Sequence, residues 1–123
     1  MIYLRIGVIY VLLAVIAGAA SAHALRLQLE MLHTETVFGL ARDYLAYHGL
    51  ALVAAGFAET RVKDLRAENA LYLLALGAAI FSGALFVFAL SLWQPIAHLA
   101  PLGGGLMIIG WCWLLLRALR HKK

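Results

Sequence analysis

The sequence predicts an all-α membrane protein, a bundle of four transmembrane helices with short loops and both termini in the cytoplasm. Three observations predict it. Four apolar stretches fill most of a chain of 123 residues. Hydrophobic residues make up 65% of it and charged residues only 13%, against about 25% charged in a soluble domain. Basic residues gather in the gaps that face one side of a membrane. A small soluble domain has too much surface to hide this much apolar area, so the bilayer is the natural solvent for a chain of mean hydropathy +0.93. Residues 1–123 form a single transmembrane domain, since nothing in them resembles a linker.

A helix that crosses the hydrocarbon needs about 20 apolar residues. The first spans 3–25, interrupted only by Arg5, whose charge can snorkel to the interface. Its end, Ala20-Ser21-Ala22, also suits the cleavage site of a secretory signal. The apolar run is longer than a usual signal core, and a retained helix is expected. Arg26 to Thr36, leucine-rich with interspersed polar residues, suits a segment lying flat at the outer interface. The second span, 37–58, is weaker because Arg42, Asp43 and His48 fall inside it. Thr34 is placed to cap it, with Glu35 favourable at the positive end of the helix dipole. Glu59 to Asn69 has mixed charge and is expected to be a solvated turn.

The third span, 70–92, contains no ionisable side chain except Tyr72. The fourth, 99–116, begins near Pro101, which a first helical turn tolerates because only an unpartnered N–H is lost. The runs are continuous and do not alternate, which excludes a closed β-barrel. Lipid tails are as apolar as leucine, so helices associate through close packing of small residues. Gly18, Ala22, Ala79, Gly83, Gly103, Gly104 and Gly110 are the expected packing positions.

Arg5, Arg61, Lys63, Arg66, Arg117, Arg120, Lys122 and Lys123 fall on one side; of the ten lysines and arginines, Arg26 and Arg42 remain on the other. The positive-inside bias then puts both termini in the cytoplasm of a multi-pass protein of the inner (plasma) membrane. Tyr3, Tyr72, Trp111 and Trp113 are expected near the inner boundary and Trp93 near the outer one. The net charge of +4 is matched by anionic lipid headgroups, not nucleic acid, because the basic residues flank spans. The sole cysteine, Cys112, excludes an internal disulfide and reads as a small apolar residue.

Candidate chemistry centres on the second span. A charge at a helix centre costs about 2.5–3.5 kcal/mol on insertion scales, so its ionisable side chains should face the bundle or water. His48 falls near mid-bilayer, and Tyr44, four residues earlier, shares its face. Asp43, Tyr44 and His48 form the candidate intramembrane polar site, with a structural, interhelical role for His48 as the alternative. His23 and His98 fall near the outer surface on different helices and form a second candidate, for haem or a metal. There is no phosphate-binding glycine loop, no zinc-protease motif and no nucleophile elbow. Ser82 adjoins Gly83 inside the third span, but neither that span nor the fourth has a histidine at its depth. No enzymatic activity is expected and no cofactor is implied.

Gly18-Ala19-Ala20-Ser21-Ala22-His23-Ala24-Leu25 resembles the signature that ends the first helix of the domain of unknown function 423 family, small membrane proteins that include the transmembrane protein 256 group. Phe38 to Val53, with Ala41, Tyr44, Tyr47, His48, Leu50 and Ala51, is similar to that family's second helix. Phe81-Ser82-Gly83-Ala84-Leu85 with Ala89-Leu90 resembles the third, and Ala100-Pro101-Leu102-Gly103-Gly104 with Gly110-Trp111 the fourth. Ala20 and Ser21 stand where that pattern has phenylalanine and glycine, and Leu40 and Leu45 where threonine and glutamine are common. The last two changes remove polar groups beside His48. The resemblance implies an uncleaved first helix and brings no biochemical activity.

The functional expectation is therefore a structural or accessory membrane subunit that packs against itself or a larger complex. A small transporter or proton-handling protein built on His48 is the rival, and a haem- or metal-bearing anchor using His23 and His98 is a third class.

Overall fold

The computed structural model describes residues 1–121, which fold as α1 (Ile2–Ala22), α2 (Arg26–Leu32), α3 (Glu35–Phe57), α4 (Glu59–Asp64), α5 (Glu68–Ser91), α6 (Gln94–Ala97) and α7 (Ala100–Arg120). Lys122 and Lys123, counted above on the basic side, lie outside the described residues. Among those residues, three helical segments are long and apolar enough to cross a membrane: Ile2–Ala22, Glu68–Ser91 and Gln94–Arg120, the last running through α6 and α7. Four were expected. The 23 residues of α3 have sufficient length, but Glu35, Arg42, Asp43 and His48 dilute their apolar character.

Glycines set how the long helices meet. In the antiparallel α1–α3 pair, a Cβ on Gly7 would stand 2.6 Å from the carbonyl oxygen of Gly49 and 2.6 Å from the amide of Val53. One on Gly56 would stand 2.7 Å from the amide of Leu4. The α5–α7 pair repeats the device: a Cβ on Gly77 would stand 2.7 Å from the oxygen of Gly103, and one on Gly103 would overlap the backbone of Phe81. In both pairs the missing side chains let backbones touch, which is how helices gain contact energy in lipid.

The two pairs join through α3 and α5. Phe38 packs edge-on against Phe86 at 4.9 Å between centroids. The Thr34 hydroxyl donates to the carbonyl of Ala89 at 2.7 Å. Thr34 does stand at the N-cap of α3, but its side chain makes no capping bond; the oxygen is spent on the neighbouring helix instead. Toward the other end of α5, the Tyr10 hydroxyl donates to the carbonyl of Ala75 at 2.7 Å, and Tyr3 packs on Tyr72 at 5.5 Å. The main core gathers Tyr3, Leu52, Leu71, Leu74, Ala78 and Met107, and a smaller one at the opposite end gathers Leu29, Phe38 and Ala89.

The connections are more ordered than their composition predicts. The first long helix ends at Ala22, where the amide of Leu25 turns back to the carbonyl of Ala20 at 2.8 Å. The segment expected to be a solvated turn contains α4, pinned by buried Val62. There Glu59 accepts from the amino terminus of Met1 at 2.8 Å and from Lys63 at 3.1 Å. Arg117 and Arg120 line a cavity with Asp64, Leu65 and Arg66, so both ends of the described chain meet α4 at one end of the bundle.

Candidate functional site

His48 is buried, at 5% exposure, on the face of α3 that turns toward α5 and α7. Its Nδ1 lies 2.8 Å from the carbonyl oxygen of Tyr44. A carbonyl only accepts, so Nδ1 bears the proton and Nε2 presents a lone pair. That lone pair accepts from the indole N–H of Trp111, 3.1 Å away on α7. The tautomer follows from these two partners. The imidazole is neutral with both ring nitrogens occupied.

Aromatic rings enclose the pair. Tyr44 stacks on His48 with centroids 6.0 Å apart and planes at 21°, and meets Phe81 of α5 at 4.9 Å. The indole of Trp111 lies 6.0 Å from the imidazole at 57°. Tyr44 thus contributes a ring face and a backbone oxygen; the expected tyrosine–histidine pair is a stack and not a bond between side chains. Asp43 is bound elsewhere. Nε of Arg42 donates to its Oδ1 at 2.9 Å, with Nη2 also 2.9 Å from that oxygen, and the pair is partly exposed. Of the three candidate residues, the structure joins Tyr44 and His48 and sets Asp43 with Arg42.

Chemically, this arrangement is a clamp. A second proton on Nε2 would face the indole N–H, donor against donor, and a metal would need the same lone pair. Either event must first break the only side-chain hydrogen bond, among the described residues, from α3 to α7.

The other predicted positions are spread widely. His23 caps the C-terminus of α1 and His98 that of α6, both exposed. Among the packing candidates, Gly103 and Gly110 make backbone-close contacts, with a Cβ on Gly110 reaching 3.0 Å from the carbonyl of Ala70. Gly18 and Gly104 have only ordinary neighbours, Arg42 at 3.5 Å and Phe81 at 3.8 Å, and Gly83 has none within 4 Å. Ala22 and Ala79 are exposed. Gly18 and Ala22, and Ala79 and Gly83, form ladders of four-residue spacing, whereas the close contacts recur at seven residues: Gly49 with Gly56, Gly103 with Gly110. That spacing, two helical turns, was the signal for the contacts of Gly49 and Gly56, while Gly7 and Gly77 have no glycine seven residues away. Trp111, expected at the inner boundary, turns its N–H inward; an indole donor within hydrocarbon needs an acceptor, and that need pointed to His48.

Ser82 is buried at 1% exposure and its hydroxyl has no partner. It stands beside a lipid-facing groove of about 420 Å³, where α1 and α5 diverge over Phe38 and Leu45.

Residues 17–104 match the family described as "Protein of unknown function (DUF423)". The chain is similar to a UPF0382 membrane protein of Staphylococcus saprophyticus, 32% identical over 115 residues that cover 94% of each chain. It is similar to a UPF0382 membrane protein of Bacillus subtilis, 27% identical over 121 residues and 98% of each chain. The UPF0382 inner membrane protein of Escherichia coli is 35% identical over 81 residues, 66% of this chain and 62% of that one. No solved structure matches the chain. The family match includes His48 and ends before Trp111.

Proposed function

The chain belongs to the DUF423 family, and from that premise we propose that it is a multi-pass inner-membrane protein acting as a structural or accessory subunit, without an enzymatic or transport role of its own. The observation that carries this is the state of His48. The buried imidazole of α3 has each nitrogen committed, one to Tyr44 and one to Trp111. A proton carrier needs a nitrogen that can be loaded and unloaded, and here one is tied to the backbone of its own helix and the other to α7.

In this proposal α3 is the fourth span. Its entire length lies against α1 and α5, from Thr34 beside Ala89 to Gly56 beside Leu4, and Arg42 neutralises part of its charge by pairing with Asp43. Four crossings put both termini on the side of Arg61, Lys63, Arg66, Arg117 and Arg120, the cytoplasm by the positive-inside rule. Partners would meet the outer face of α7, where Ile108, Ile109, Leu115 and Leu116 are exposed and Gly105 leaves open space.

Purification in mild detergent followed by native mass spectrometry tests the proposal. A stable multiple of the 13.4 kDa chain, or a companion at fixed stoichiometry, is expected. A bare monomer, or a haem or metal adduct, overturns it. So does a proton flux in proteoliposomes that His48→Ala abolishes while the fold is kept.

A further inference from the structure

The lipid-facing seam between α1 and α3 contains two adjoining hollows. Toward the α2 end lies a polar cavity of about 470 Å³, lined by Ser21, Arg26, Glu30, Glu35, Gly39 and Arg42. Further along the seam lies an apolar groove of about 350 Å³, walled by Val11, Ala14, Val15, Gly18, Ala46 and Leu50. Arg42 lines both. Its side chain runs beside two glycines: a Cβ on Gly18 would meet Cδ at 3.5 Å and one on Gly39 would meet Nη2 at 3.7 Å, both ordinary contact distances.

We propose that this seam binds a zwitterionic aminophospholipid, with its phosphate on Arg42 and Arg26, its ammonium on Glu35 and Glu30, and one acyl chain in the groove. The charges select this headgroup. Two guanidiniums face three carboxylates, Glu30, Glu35 and Asp43. A phosphatidylglycerol headgroup would bring those carboxylates hydroxyl donors but no positive charge. A choline headgroup carries positive charge but no N–H donor, whereas a primary ammonium has three. Arg42 donates its Nε–H to Asp43, which leaves N–H groups of the guanidinium for phosphate oxygens at the point where polar cavity becomes apolar groove. Arg26 is anchored by Glu30 at 3.0 Å and forms the outer wall. The sequence explains the cost accepted here: an arginine one to two turns inside a helix needs a local counter-charge and a path to the headgroups, and the seam provides both.

This rests on α3 crossing the bilayer as proposed above. The test is native mass spectrometry of the purified protein with an equimolar mixture of palmitoyl-oleoyl phosphatidylethanolamine, phosphatidylglycerol and phosphatidylcholine. Preferential retention of phosphatidylethanolamine is expected, and Arg42→Gln, which removes a charge-assisted bond, should reduce it about tenfold. Gly18→Leu fills the groove beside Arg42 and should reduce retention. Glu35→Gln should erase the preference over phosphatidylcholine. Equal retention of the three lipids, or retention unaffected by both Arg42→Gln and Gly18→Leu, overturns the site. A Leu50→Cys variant in a Cys112→Ser background separates the two failures. Modification by a membrane-impermeant maleimide would place α3 outside the bilayer and refute both proposals, whereas protection with unselective retention refutes the lipid site alone.

Discussion

The indole N–H of Trp111 donates to Nε2 of His48 across 3.1 Å, so the last long helix holds the imidazole of α3 in one tautomer. The two residues lie 63 positions apart and come from different glycine-packed pairs. Their bond ties the α1–α3 pair to the α5–α7 pair.

Trp111→Phe should therefore destabilise the bundle beyond the loss of ring area. Interhelical hydrogen bonds in membranes contribute about 0.6 kcal/mol on average and up to about 1.7 kcal/mol. A double-mutant cycle of Trp111→Phe with His48→Ala, followed by unfolding in mixed micelles, is expected to give a coupling in that range. Strict additivity would show that the bond contributes nothing.

Glycines with similar sequence settings should respond in opposite directions. Gly103→Ala puts a methyl into the backbone of Phe81 and within 2.7 Å of the Gly77 oxygen, and over-packing of this kind costs about 1–3 kcal/mol. Gly105→Ala meets nothing within 4 Å and should stabilise α7 by up to about 1 kcal/mol through helix propensity. Unfolding midpoints of the two variants, two positions apart in one glycine run, check both signs.

Ser82 offers a gain of stability by deletion. Its hydroxyl is buried without a partner, and the desolvation of such a group is a cost that a methyl does not incur. Ser82→Ala is expected to raise stability by about 0.5–1 kcal/mol. A loss in the same assay would mean that the hydroxyl is bonded in the bilayer.

Much of the fold was legible because long apolar runs have one solution in lipid: helices of bilayer length. The three spans at α1, α5 and the α6–α7 segment are stated plainly by composition. Helix α3 is less so, since its polar residues serve different neighbours: Arg42 and Asp43 each other, His48 the indole of α7, Thr34 the carbonyl of Ala89. Composition averages over these and sees only weakened hydropathy. Contacts between distant positions were the least legible part. His48 stood out by its depth and by the face it shares with Tyr44, but its partner lies on another helix, and the indole's need for an acceptor does not by itself say which helix supplies it. Likewise, four-residue ladders of small residues were visible, whereas which ladder faces a neighbour depends on helix rotation, fixed by Gly7, Gly49, Gly77 and Gly103 together.

At the end where the termini meet α4, acid should loosen the chain. The carboxyl of Glu59 is held below the usual carboxylate range, first by the hydrogen bond from the amino terminus of Met1 and then by that from Lys63. A carboxyl whose folded pKa lies below its unfolded value contributes its stability above the unfolded value and loses it as pH falls through the folded one. The melting temperature of the native chain should thus exceed that of Glu59→Gln by a constant margin near neutrality, and the margin should close between about pH 5 and pH 3. Both partners are near the surface, so the margin is small and should shrink as ionic strength rises. Acetylating the amino terminus removes the larger of the two causes, so the margin near neutrality should shrink and its closure should finish at higher pH. A margin that widens on acidification, or that acetylation leaves unchanged, would show that the tie between Met1 and Glu59 does not hold α4 to the start of α1.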